Sequence, residues 1–357
     1  MRVLVTGDKG YIGAVLVPML LQDGHSVTGL DADWFEHSAF SELPAQISSM
    51  RKDVRDVEVA DLKGFDAVIH LAALSNDPLG DLDSSLTDDI NHRASVRLGK
   101  LAKEAGVERF LFSSSCSTYG AAGGDALLNE EAELRPVTAY GKSKVCTEEG
   151  LAKLADSGFS PTFLRNATAY GVSARLRFDL VLNNLVAWAY TTGRIHIKSD
   201  GTPWRPIVHI ADISRAFIAM LTAPRERIHC QAFNVGLTTE NYQIRQLADI
   251  VNEIVPDCKI EFAADGGPDL RCYRVDFSKL ARILPECKLQ WTAREGAKEI
   301  YRAVREYGLK PDEFEGPRFR RISHIQSLIS TGRLDAALRW RDRGNSEEKQ
   351  LQMSEAH

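Results

Sequence analysis

Val3-Leu4-Val5-Thr6-Gly7-Asp8-Lys9-Gly10-Tyr11-Ile12-Gly13 carries a short apolar run into a turn whose glycines stand three residues apart. The run reads as a buried strand, and Ala14-Val15-Leu16-Val17 beyond the turn starts an apolar helix. A joint of this kind presents unpaired N–H groups and the positive end of a helix dipole, and its glycines let a diphosphate come close to the backbone. It predicts a dinucleotide site in a parallel α/β sheet. A second strand, Ser26-Val27-Thr28-Gly29-Leu30-Asp31, ends in a carboxylate at the interval expected of a ribose-binding acid. Asp31 would accept hydrogen bonds from ribose hydroxyls and repel a 2′-phosphate, so it favours NAD over NADP. Asp53 and Val54, after a third strand, are candidates to flank the adenine, although Asp53-Val54-Arg55-Asp56 also reads as a solvated charged turn.

The remaining composition is that of a globular enzyme. A chain of 357 residues suits one large α/β domain with an attached lobe, or two domains. A hydrophobic share of 44% with 26% charged residues is ordinary, and a net charge of −5 argues against non-specific nucleic-acid binding. No targeting signal and no membrane-spanning stretch of ~20 apolar residues is expected. The six cysteines form no Cys-x-x-Cys pair and read as reduced thiols of a cytoplasmic protein, with no metal site.

Ala67-Val68-Ile69-His70-Leu71-Ala72-Ala73 suits a central parallel strand, with Ser75 just past the end where such sheets bind ligands. His70 reads as a packed strand residue rather than a catalyst. Helical spacing runs from Leu86 to a cap at Gly106, and a fifth strand, Arg109 to Phe112, leads into Ser113-Ser114-Ser115. Tyr140 and Lys144 then fall four residues apart on one helix face. An ammonium near a phenol favours the phenolate and lowers its pKa from ~10, which would serve a general base; a solvated helix face is the competing reading.

Together, Thr6-Gly7-x-x-Gly10-x-x-Gly13, Asp31, His70-Leu71-Ala72-Ala73, the serines before Tyr119-Gly120, and Tyr140-x-x-x-Lys144 resemble the extended short-chain dehydrogenase/reductase superfamily, within it the nucleotide-sugar epimerases and dehydratases. The resemblance covers roughly residues 1 to 305. It implies a Rossmann-type doubly wound sheet with a smaller C-terminal α/β substrate lobe, and NAD held by Gly7, Gly10, Tyr11, Ile12, Gly13, Asp31, Asp53, Val54, Leu71, Ala72, Ala73, Tyr140 and Lys144. It further implies Tyr140 as base, Lys144 as its tuning partner and ribose ligand, and Ser115 as the hydroxyl that bonds the reacting sugar. Asn183 and Arg205 resemble the family's nucleotide-diphosphate ligands; Ser75 is a further substrate candidate. The family commonly dimerises through the helices near 86–105 and 140–156, so a homodimer is expected.

Departures from the pattern narrow the chemistry. Sugar 4,6-dehydratases carry Asp-Glu directly after the catalytic hydroxyl, whereas Cys116 and Ser117 stand here, a poor acid/base pair for eliminating water. Cys116 is left either as a proton donor to the substrate or as a small residue packed beneath the nicotinamide. The asparagine usual three residues before Gly171 is replaced by Thr168, with Asn166 two places earlier. In the last nucleotide-binding segment the usual arginine is missing; Arg271 or Arg274 could substitute, or either could form a surface salt bridge.

The expected organisation is a dinucleotide-binding domain at 1–172 with a return segment at 207–236, and a substrate lobe from 173–206 and 237–310. A helical extension at 311–341, packed on its own subunit or a neighbour, and a frayed tail at 342–357 would follow. The expected activity is NAD-dependent epimerisation of a nucleotide-activated sugar through a keto-sugar, with a 4-epimerase favoured. A nucleotide-sugar reductase or dehydratase is the nearest alternative, and a non-catalytic dinucleotide sensor or scaffold a more distant one.

Overall fold

A computed structural model describes residues 1–75, 77–80, 83–120, 126–197, 199–262 and 272–341. Seven parallel strands form its central sheet, ordered across it as Ala232–Val235, Ser160–Asn166, Arg109–Ser115, Ala67–His70, Arg2–Thr6, Ser26–Asp31 and Ser49–Arg51. Strand Arg2–Thr6 is continuously apolar because both its faces are covered. Val3 and Val5 pack with Leu16, Leu20, Phe217 and Met220 on one face, while Leu4 packs with Val68, Leu98 and Phe110 on the other. From this strand the chain first builds the sheet outward through Ser26–Asp31 and Ser49–Arg51. It then returns to pair Ala67–His70 along the opposite edge of Arg2–Thr6. That reversal opens a crevice beyond the carboxyl ends of the strands, where ligands of such sheets bind.

A second core lies beyond this crevice. Helices Val181–Thr192, Ile244–Ile254 and Ala293–Tyr307 bring together Leu182, Val186, Leu247, Val251, Ile300 and Val304. Strand Trp204–His209 runs between Thr168–Tyr170 and Asn241–Gln243, and Arg194–Ile197 pairs with Lys259–Phe262.

Two elements differ from the sequence expectation. The stretch from Leu86 to Gly106 is not one α-helix: a short helix, Ser84–Thr87, passes into a π-helical segment, Asp88–Arg93, before the α-helix Ala94–Glu104. The wider turn delivers Asn91 into the core, where its Oδ1 accepts from the Leu74 amide (2.7 Å) and its Nδ2 donates to the Leu74 carbonyl (3.0 Å). Such bulges recur near functional sites, and this one fixes the strand end that carries Ser75. In the C-terminal extension, the helix Arg321–Ser330 stops well before Trp340. Gly332 turns the chain with φ +70°, and Leu334 faces Trp340 across an isolated antiparallel bridge. The extension packs on its own chain, with Phe314 and Phe319 in the second core and Ile325, Leu328, Leu334 and Leu338 against the central sheet's core.

Candidate functional site

The glycine turn forms as its spacing predicts. Gly7 adopts φ +75°, and a Cβ there would sit 2.8 Å from the Ala72 nitrogen, so only glycine lets this turn lie against the neighbouring strand end. A Cβ on Gly13 would meet the Gly7 carbonyl oxygen at 2.3 Å, so the helix Gly13–Gln22 starts tight against the turn. Tyr11 locks the turn to the second core: its hydroxyl donates to the Gly171 carbonyl (2.7 Å) and accepts from Asn183 Nδ2 (3.1 Å).

A cavity of about 360 Å³ opens over this turn. Gly7, Gly10, Tyr11, Ile12, Gly13, Asp31, Asp53, Val54, Leu71, Ala72, Ala73, Tyr140 and Lys144 all line it, and so do Ser75, Ser115 and Arg205. Asp31 is steadied by the amides of Asp33 (2.7 Å) and Lys9 (3.3 Å), and burial raises its carboxyl pKa. Asp53 faces the cavity while also capping a short helical turn and pairing with Arg55 (2.7 Å), so it is both a wall residue and part of a charged turn.

Ser115 ends the strand Arg109–Ser115, and Tyr140 and Lys144 descend from the helix Ala139–Ala152, started by a Thr138 side-chain cap. Tyr140 is hydrogen-bonded to Ser115. Lys144 Nζ donates to the Ser113 carbonyl (2.7 Å) and lies 5.5 Å from the centre of the Tyr140 ring. Here the electrostatics differ from expectation. Burial, with Asp77 adding to it, pushes the Tyr140 phenol up to about 12, while the Ser115 bond and Arg177 oppose the rise. Burial also brings the Lys144 ammonium down to about 7, against the pull of Glu148. The protein groups alone thus hold the tyrosine protonated, because the desolvation each group suffers outweighs their mutual effect.

His70 is a packed strand residue, held between Thr6 (2.6 Å) and Ser95 (2.7 Å), with its pKa brought down to about 3 by burial.

Two substrate candidates are placed elsewhere. Asn183 is fully buried and spends its amide on the Gly171 N–H (3.1 Å), the Tyr11 hydroxyl and the Arg177 carbonyl (2.9 Å), so it braces the lobe instead of facing the cavity. The Cys116 thiol points into the core and donates to the Arg165 carbonyl (3.2 Å). Burial drives its pKa upward, and it is not among the residues that line the cavity. Arg271 lies outside the described residues.

The cavity also recruits residues that the sequence did not single out for it. Trp34, Phe35, Asp77, Tyr273 and Arg321 line it, as does Asn166, whose buried Oδ1 has no partner among the described residues. Arg177 donates to Ser75 Oγ (2.8 Å) and is paired with Asp179 (2.8 Å). The basic segment from Ser173 to Asp179 was a usable signal for Arg177, and Asp77 stands two residues past Ser75. Nothing local in the sequence points to Arg321.

The glycine cradle, the Asp31 carboxylate in the cavity wall and the orphaned Asn166 oxygen fit a nicotinamide dinucleotide. Comparison with known proteins agrees. The UDP-glucose 4-epimerase of Corynebacterium glutamicum is 29% identical over 272 residues, covering 71% of this chain and 80% of that protein. The enzyme of the same name from Mycolicibacterium smegmatis is 29% identical over 299 residues, covering 80% and 92%. Among solved structures, MoeE5 in complex with UDP-glucuronic acid and NAD superposes with a TM-score of 0.74 at 26% identity, over 86% of this chain and 99% of that one. The UDP-glucuronic acid 4-epimerase of Bacillus cereus shares the fold at a TM-score of 0.72 and 22% identity, over 86% and 99%. Residues 3–236 match the NAD dependent epimerase/dehydratase family, which spans more than half of the chain, and the protein belongs to that family.

Proposed function

We propose that the protein epimerises a nucleotide-diphosphate sugar at C4, by transient oxidation to a 4-keto-sugar and reduction on the opposite face. One observation carries the reading: a single cavity joins the glycine turn and Asp31 to the Ser115, Tyr140 and Lys144 side chains, with Arg205 also in its wall. Ser115 orients the sugar 4-hydroxyl, and Tyr140 Oη takes its proton as the C4–H bond yields a hydride and the carbonyl forms. NAD, when bound, would supply the hydride acceptor and donor for C4 and a cationic ring that favours the Tyr140 phenolate. Lys144 holds the nicotinamide ribose and keeps positive charge beside the phenolate. After the keto-sugar turns over in the pocket, Tyr140 returns the proton to the new alkoxide. Arg205 pairs with the nucleotide diphosphate of the substrate, the task for which a guanidinium fork is suited.

A dehydratase is the second reading, and Asp77 is the observation that favours it. Its carboxylate lines the cavity and acts on the Tyr140 phenol, although Cys116 and Ser117 occupy the usual acid/base places. The protein is further proposed to work in the cytoplasm, in keeping with six free cysteines, and as a homodimer. Val96 and Val145, half-buried on the adjacent helices Ala94–Glu104 and Ala139–Ala152, would belong to that dimer face.

UDP-, TDP-, GDP- and CDP-sugars offered in deuterated water and followed by proton NMR test the reaction. Inversion at C4 without added cofactor and without deuterium uptake is expected, and Tyr140→Phe should lower the rate by about 10²–10⁴-fold. Deuterium entering beside a carbonyl, with loss of water, would establish the dehydratase instead. Full activity in Tyr140→Phe would refute the role of Tyr140.

A further inference from the structure

The extension beyond Lys310 is bound along the adenosine-side wall of the cofactor cavity. Ala32, Trp34, Phe35 and Asp53 line that wall. Trp340 Nε1 donates to the Ala32 carbonyl (2.6 Å), and His324 Nε2 donates to the Trp34 carbonyl (2.8 Å). Arg339 reaches Asp53 (3.2 Å) and Asp56 (2.5 Å), and Arg318 donates to the Ala39 carbonyl (2.8 Å). The Trp340, His324 and Arg339 anchors engage Ala32, Trp34 and Asp53 of the wall itself, so this wall is fully built only when the extension is docked.

One side chain of the extension goes further. Arg321 enters the cavity wall at 4% exposure, its guanidinium carbon 3.8 Å from the centre of the Phe35 ring. A guanidinium has five N–H donors. The one protein acceptor within reach among the described residues is the Arg175 carbonyl, at 3.4 Å. Arg175 and Arg177 are also buried beside it, and the carboxylates acting on it are Asp31 and Asp179. Of these neighbours, Arg177 is already committed to Asp179, and Arg175 shares Asp31 with Arg321 while also being acted on by Asp33 and Glu36. Burial, with Arg177 and Arg175 adding to it, brings Arg321 down to about 9 against the pull of Asp179 and Asp31. Asp31 and Arg177, the latter in contact with Ser75, both act on this guanidinium.

We propose that Arg321 binds the diphosphate of the dinucleotide cofactor and that the 311–341 extension straps the adenosine half in place, so that NAD stays bound through repeated turnovers. A bidentate guanidinium suits a diphosphate oxygen pair, and stacking on Phe35 holds the fork in one plane. Release of the cofactor then requires the strap to undock from Ala32, Trp34 and Asp53. The diphosphate of a nucleotide-sugar is the other possible source of the anion; the stacking of Arg321 on Phe35, four residues past Asp31, assigns it to the cofactor.

The full chain, freed of bound nucleotide, provides the test. Calorimetric titration with NAD and separately with UDP should show that Arg321→Met weakens NAD at least tenfold, that Arg321→Lys recovers part of the loss, and that UDP affinity stays at the wild-type value. In the wild-type protein, added NAD should slow amide hydrogen exchange in residues 318–341, and added UDP should not. This second arm does not depend on how well the variants fold. Equal NAD affinity in a folded Arg321→Met, equal losses for NAD and UDP, or unchanged exchange in 318–341 on adding NAD would each overturn the proposal.

Discussion

Lys144 places an ammonium where the Ser113 carbonyl and the Phe112 face, 4.7 Å away, are its nearest partners, and burial lowers its pKa to about 7. The consequence for stability has a definite sign. Between about pH 7 and the unfolded value of ~10.5, the unfolded chain binds a proton that the folded chain has shed, so stability rises with pH across that window. Below pH 7 both states are charged and the full cost of burying the ammonium remains. Urea unfolding of the cofactor-free protein should show this upward slope between pH 7 and 10, and Lys144→Met should flatten it. A slope unchanged by the substitution would mean that Lys144 is not desolvated. The same residue shows how far spacing reaches: four positions on a helix were enough to set Tyr140 and Lys144 side by side. Their proton affinities depend on strands Ala67–His70 and Arg109–Ser115 packed around them, which spacing on one helix does not describe.

At the level of elements, the parallel strands were legible because burial on both faces demands unbroken apolar runs, as in Val3-Leu4-Val5 and Ala67-Val68-Ile69. The π-helical turn at Asp88–Arg93 was not, because the apolar spacing of Ile90, Ala94 and Leu98 is the same for a continuous helix; what selects the bulge is the bond network of Asn91 with Leu74 and Ser143, distant in sequence. Asn183 is a similar joint, binding the helix Val181–Thr192 to the glycine turn through Tyr11 and to Gly171. Asn183→Ala should therefore destabilise the fold by about 1–3 kcal/mol, since it leaves buried polar groups unpaired. Thermal and chemical denaturation measure that loss. If Asn183 were instead a substrate ligand, the change would raise KM with stability intact, and that outcome would overturn the bracing role.

For the whole molecule, no helix among the described residues is long and apolar enough to cross a membrane. The proposed dimer carries an expectation of its own. Light scattering at micromolar concentration should give twice the chain mass of 39.6 kDa, and Val96→Glu with Val145→Glu should shift it to the monomer while leaving NAD bound. A monomeric wild-type protein would end the dimer proposal without touching the catalytic one.

The sequence by itself determined the parallel sheet, the glycine turn, the carboxylate of Asp31 at the end of the second strand and the pairing of Tyr140 with Lys144. These are local features, written in apolar period, glycine spacing and helical repeat within a few tens of residues. Only the tertiary structure decided that Asn183 and Cys116 turn into the protein, that Asp77 and Tyr273 face the cavity, and that Arg321 reaches it from more than 280 residues beyond Asp31. Side-chain direction and long-range closure follow from how layers pack, and packing is settled among residues far apart in the chain.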